Sequence, residues 1–126
     1  MSPQEYFDRC LLVKYDLEAP LTEFGKPMNC YGFVFYFYKL CLGIELDKGN
    51  VRCFDNIRNI CYTRVDTPQD GDVVDLKSTM GSNVPHVGIV YKDVVFHFTH
   101  DGLRMKNRFR MASWIKGYYR VNADKN

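Results

Sequence analysis

The chain has 126 residues, 46% of them hydrophobic and 25% charged, the balance of one folded domain rather than a disordered segment. A net charge of +2 says little about partners, and five cysteines, an odd number, exclude a scaffold of fully paired disulfides. The N-terminal MSPQEYFDRC has no basic run followed by an apolar stretch, and the apolar run 30–44 is too short to cross a bilayer. Synthesis in the reducing cytoplasm without a signal peptide, and no membrane insertion, are therefore expected.

Residues 4–17 read as a short amphipathic helix with Tyr6, Cys10, Leu11 and Val13 roughly on one side. Residues 18–28, with Pro20, Gly25 and Pro27, read as loop. Asn29 is a good N-cap and Gly43 a good stop, so the apolar run 30–42 is expected to be a buried central helix. In VRCFDNIRNICY at 51–62, Cys53, Ile57, Ile60 and Cys61 predict one face of a second helix. Residues 66–72 form a turn cluster, after which the period changes to two. Residues 73–76, 86–91, 94–99 and 117–122 read as strands. Helices first and strands after predict an α+β domain with an antiparallel sheet.

Seven basic residues against two acidic ones fall within 100–126, and Arg104, Lys106, Arg108 and Arg110 alternate. On an extended segment these four share a face, either merely solvated or offered to an anionic polymer. No nucleic-acid motif accompanies them, and no nucleic-acid partner is expected.

Cys10, Cys53 and Cys61 sit in apolar patterns and read as packing residues. Cys30 and Cys41 on one helix would lie about 16 Å apart along the axis, too far for a disulfide or a shared metal. No Cys or His pair has zinc-ligand spacing, so neither a metal nor another cofactor is expected. Cys30 differs by opening the helix, where unpaired N–H groups and the dipole favour thiolate.

The three histidines, His86, His97 and His100, lie within fifteen residues of each other. A hairpin turning at Lys92 and Asp93 pairs Tyr91 with Val94, Val90 with Val95, Gly88 with His97 and His86 with Thr99. His86 and His97 then share a face as diagonal neighbours about 7–8 Å apart, with space left at Gly88, while His100 falls on the other face. A thiol at a helix start, an imidazole to take its proton and a polar group to orient that imidazole make up a thiol nucleophile's equipment. Cysteine before histidine is the papain-like order.

NCYGFV at 29–34, GDVVDL at 71–76 and HVGIVY at 86–91, in this order, resemble the NlpC-type cysteine peptidases, papain-like cell-wall hydrolases of bacteria and phages. CYGFVFYFYKLCLGIEL at 30–46 and GYYRV at 117–121 are similar to the peptidase domains of phage tail-tip assembly proteins. The resemblance covers about residues 10–121. It implies a papain-like NlpC-type fold over 1–126 with the nucleophile at a helix N-terminus, Cys30 as nucleophile, His86 as general base and His97 as the orienting residue. Tyr15 loosely matches a tyrosine upstream of the nucleophile and is a candidate substrate-binding residue. The implied activity is hydrolysis of an amide in peptidoglycan stem peptides, after D-glutamate, by a phage-tail component acting at the bacterial cell wall with phage tail proteins as partners. Asn29 departs from the family's usual Asp. Two other functions share the trio: an inactive structural tail part, and an acyltransferase or deamidase.

Overall fold

The computed structural model describes residues 1–48, 62–77 and 86–122. Helix α1 spans Pro3–Cys10. Ser2 caps it by accepting the Glu5 N–H at 3.2 Å, and Pro3 occupies the first turn, where no N–H is needed. The helix ends well short of the expected residue 17. Beyond Leu12, which is 89% exposed, the chain turns extended, and Lys14 and Asp16 exchange backbone hydrogen bonds with Met28. That pairing bridges Tyr15 to Met28 and replaces the last turns of the expected helix.

Helix α2 spans Cys30–Phe37, and all eight of its residues are buried. The chain continues as a π-helical turn over Tyr38–Leu42, so the expected helix 30–42 is α-helical only in its first two turns. Gly43, at φ 69°, stops it in the left-handed region open to glycine. The helix expected at 51–61 lies outside the described residues, while Tyr62 already belongs to a strand.

Six strands follow: β1 Tyr62–Val65, β2 Val73–Leu76, β3 His86–Tyr91, β4 Val94–Thr99, β5 Gly102–Asn107 and β6 Ile115–Val121. They form one antiparallel sheet in the order β1-β6-β2-β3-β4-β5, so the α+β expectation holds. Strands β2, β3 and β4 match the sequence reading residue for residue. β6 starts two residues early, and β1 and β5 were not separately expected. Neither has the alternating apolar pattern that marks a half-buried strand, since β5 is mostly exposed and β1 has one buried residue.

One sheet face packs on α2. Val73, Val87, Ile89 and Phe98 join Tyr6, Phe7, Phe33 and Phe37 in the main core. Phe7 stacks on Phe96 at 3.9 Å between ring centroids and on Phe37 at 5.8 Å, so aromatic rings tie α1 and α2 to the sheet. On the opposite face Val74, Leu76, Val90, Val95 and Met111 form a smaller cluster. Among the described residues no helix is long and apolar enough to cross a membrane.

The turn before β2 is held from three sides. The Tyr38 hydroxyl donates to the Gly71 carbonyl, and the Gly71 N–H donates to Val90. Asp72, 4% exposed, accepts two hydrogen bonds from the Arg120 guanidinium, at 3.1 and 2.9 Å, and one from the Gln69 N–H at 2.7 Å. A buried carboxylate needs such partners, because leaving it unpaired is costly. Arg120→Gln should therefore lower the midpoint of thermal unfolding by several degrees. Arg9→Gln, which breaks only an exposed pair with Glu5, should change stability by no more than about 0.5 kcal/mol. Calorimetry on the two variants checks both.

Candidate active site

The site begins at the cap of α2. The Asn29 side-chain oxygen accepts the Gly32 N–H at 2.8 Å, and its NH₂ donates to the Leu17 carbonyl at 3.0 Å. Aspartate could make the first bond but not the second, because a carboxylate has no donor. Asparagine at this cap therefore has a local reason: its side chain also pins the loop that leads from α1.

Cys30 follows, 1% exposed. Its sulfur meets the backbone N–H groups of Val87, Tyr31 and Cys30 itself. These favour thiolate, as expected at a helix start, but burial outweighs them and pushes the thiol up to about 11. The helix-start donors pull toward thiolate as expected, and in the free protein desolvation is the larger effect. Tyr15 lies close enough to Cys30 to be pushed upward, chiefly by burial and then by the thiol's charge, and its ring packs 6.1 Å from Phe98. Its backbone bridges to Met28, two residues before Cys30.

Strands β3 and β4 supply the imidazoles. Lys92 and Asp93 both take positive φ, 51° and 62°, as a two-residue hairpin turn requires. This is unfavourable for Lys, and it is offset by bonds from the Lys92 N–H to Asp70 at 2.8 Å and from Arg108 to Asp93 at 2.8 Å. The register is the expected one from Tyr91↔Val94 to Gly88↔His97 and ends there, without the expected His86–Thr99 pair. Beyond it, the Val87 N–H serves the thiol instead.

His86 Nε2 and His97 Nδ1 are 2.8 Å apart, hydrogen-bonded, with the rings edge-on at 78°. One proton lies between them. With that proton on His86 Nε2, His86 Nδ1 is bare and able to accept another. Both imidazoles are pushed down to about 4, His86 by burial and His97 by burial and then by the charges of His86 and Arg104. At neutral pH both rings are uncharged.

Parity sets the imidazoles on the sheet face away from α2, since His86 opposes Leu76 and His97 follows Val95 by two residues. The thiol reaches the sheet from the helix face, at the residue beside His86. Thiol and histidine pair therefore both lie at the first residues of β3, approached from opposite faces of the sheet. Gly88 is what lets the pair form. A Cβ there would stand 2.5 Å from the Phe96 carbonyl oxygen and 3.0 Å from His97 Cβ.

Two features escaped the sequence reading. Arg104 lies directly opposite His97 in the β4–β5 register, a relation invisible until β5 is paired. The alternating cationic stripe is also shorter than expected. The strand ends at Asn107, Arg108 turns back to Asp93 and stacks 4.0 Å from the Phe109 ring, and Arg110 sits in the following turn. His100 is exposed, 3.5 Å from Asp101. Cys10 and Cys41 are free thiols, and Cys53 and Cys61 lie outside the described residues. Among the described residues no three His, Cys, Asp or Glu side chains are placed to hold a metal ion.

No protein-family model matches this sequence, and no curated protein matches it.

Two outcomes follow from this geometry. Folded-state values near 4 lie below the ordinary imidazole value of about 6.5, so the histidine pair contributes stability in full above pH ~6.5 and loses it as pH falls through about 4. Urea unfolding from pH 7 to 5 should show falling stability with net proton uptake. His97→Gln should flatten that slope, and equal slopes in both proteins would contradict the assignment. Gly88→Ala should force β3 and β4 apart at His97 and destabilise the fold by about 1–3 kcal/mol, the usual range for overpacking, with shifted His86 and His97 ring signals in NMR spectra.

Proposed function

We propose that this chain is a papain-like cysteine endopeptidase of the NlpC type that hydrolyses an amide bond in peptidoglycan stem peptides. The observation that carries the reading is the 2.8 Å hydrogen bond between His86 Nε2 and His97 Nδ1. It orients the base through one nitrogen and leaves the other for a proton from Cys30, anchored at the neighbouring residue of the same strand.

In this reading the resting site holds a neutral thiol and a neutral imidazole, so the proton leaves as the sulfur attacks. The Cys30 sulfur forms a bond to the scissile carbonyl carbon while His86 Nδ1 takes the thiol proton and His97 supports the imidazolium. The oxyanion finds the N–H groups at the start of α2, the same donors that now face the sulfur. His86 then protonates the leaving amine, the C–N bond breaks and a thioester remains. Water, giving its proton to His86, hydrolyses the thioester and restores the thiol. Tyr15, half-buried and paired with Met28 just before the nucleophile helix, is the candidate for contact with the peptide. The resemblance of 30–46 and 117–121 to tail-tip proteins points to delivery by a phage tail and to action at the cell wall.

One observation favours a second reading, a structural tail component without activity: Cys30 is sealed from solvent and its thiol is held in the protonated form. Purified muropeptides incubated with the protein and examined by mass spectrometry separate the two. The peptidase reading expects a new free amine within the stem peptide and a fall of at least about 10³-fold in rate for Cys30→Ala, since the nucleophile is lost. Cleavage that survives in Cys30→Ala would remove the cysteine from the mechanism. Intact muropeptides with the unmodified protein would favour the structural role.

A further inference from the structure

We infer that the turn joining β5 to β6, together with the cleft beside it, is a seat for the surface of an anionic lipid bilayer. Between residues 104 and 116 the chain carries five basic residues and no acidic one. The turn is pinned from within. Met111 is buried in the smaller core cluster, the Trp114 N–H donates to the Met111 carbonyl at 2.9 Å, and the Trp114 carbonyl accepts the Lys77 N–H at 2.9 Å. Two aromatic side chains nevertheless stand outward from it, Phe109 at 63% exposed and Trp114 at 48%. Large exposed rings on a firmly held turn, with cations around them, mark a contact surface. Arg110 lies between the two in sequence and Lys116 just beyond, both exposed.

The cleft supplies a place for phosphate. It has a volume of about 280 Å³ and is lined by Arg64 and Asp66 at the end of β1 and by Ala112, Ile115, Lys116 and Gly117 on either side of Trp114. The Arg64 guanidinium lies over Gly117, where a Cβ would stand 3.1 Å from its Cζ. It is held there by donating to the Lys116 carbonyl at 3.2 Å and to the Tyr119 hydroxyl at 3.4 Å. Among the described residues none of Arg64, Arg110 and Lys116 forms an ion pair, and Asp66 is the one carboxylate lining the cleft. A fixed guanidinium beside an unpaired ammonium suits a phosphate ester. Rings at headgroup level with cations on the lipid phosphates let a protein lie on a bilayer without spanning it. A nucleic acid fits less well. Phe109 has one ring face covered by the Arg108 guanidinium at 4.0 Å, and the cations surround a turn instead of tracking a groove. The contact uses neither the thiol nor the histidine pair.

Trp114 is the one tryptophan of the chain, so its fluorescence reports on this surface alone. Vesicles containing phosphatidylglycerol should sediment with the protein and shift the Trp114 emission to the blue, and vesicles of phosphatidylcholine alone should do neither. Arg64→Gln combined with Lys116→Gln should weaken binding to the anionic vesicles by about tenfold or more, since each cation near a charged surface adds to the attraction. Phe109→Ser should weaken it as well and reduce the blue shift. Lys26→Gln combined with Lys48→Gln removes two exposed charges elsewhere, each side chain being 62% exposed, and should leave binding almost unchanged. Circular dichroism checks that each variant is folded. Failure to bind the anionic vesicles would overturn the inference, as would binding without a change in Trp114 emission. An equal loss in the two double variants would also overturn it, because net charge alone would then explain the attraction. A Trp114 response to a single-stranded oligonucleotide but not to vesicles would replace the bilayer with a nucleic acid.

Discussion

A helix whose every residue is buried meets polar surroundings only at its ends, and α2 is such a helix. Its side chains are all committed to packing, on α1 and on one face of the sheet. Its unpaired N–H groups must therefore be satisfied where the chain enters it. Asn29 satisfies one and Cys30 draws on others. The reactive candidate of the protein thus stands at the one place where the central helix has polar capacity left over. The aromatic content serves this arrangement, because stacked rings such as Phe7 on Phe96 and Phe33 on Phe98 fill a thick core around the helix with few residues.

The parts of this structure that were legible in the sequence are those set by local chemistry. Asn29 as cap, Gly43 as stop and the period-two runs 73–76, 86–91 and 94–99 all announce themselves within a few residues. The hairpin register followed from turn length alone, even though Lys92 and Asp93 are poor residues for positive φ. Tertiary contacts with no local signal account for what was missed. Leu11 to Asp16 has helical spacing, yet the backbone of Lys14 and Asp16 is taken by Met28. β5 lacks apolar alternation because one edge and much of its surface face water, and without β5 the position of Arg104 could not be seen. The absence of the His86–Thr99 pair likewise involves a distant group, the Cys30 thiol that takes the Val87 N–H, which no local pattern shows.

Two opposing influences meet at Cys30, and their balance shapes the chemistry. Backbone donors pull the thiol toward ionisation, and burial pushes it back further. The histidines are subject to the same burial, which keeps them neutral. A site of this type stores no charge at rest. In the proposed peptidase it would develop charge only when a substrate carbonyl arrives, where the oriented N–H groups would act on the oxyanion with little water to screen them. Low intrinsic thiol reactivity toward small electrophiles is compatible with such a mechanism, as is protection of the thiol from oxidation before use.

Strand β5 is also the last strand of the sheet, with one row of backbone donors and acceptors unpaired by any described neighbour. Arg104 and Lys106 stand along it, exposed and of like charge. Cationic side chains on a terminal strand discourage a second molecule from adding to the sheet. Surface changes that neutralise this strand would therefore act on colloidal behaviour while leaving the core untouched.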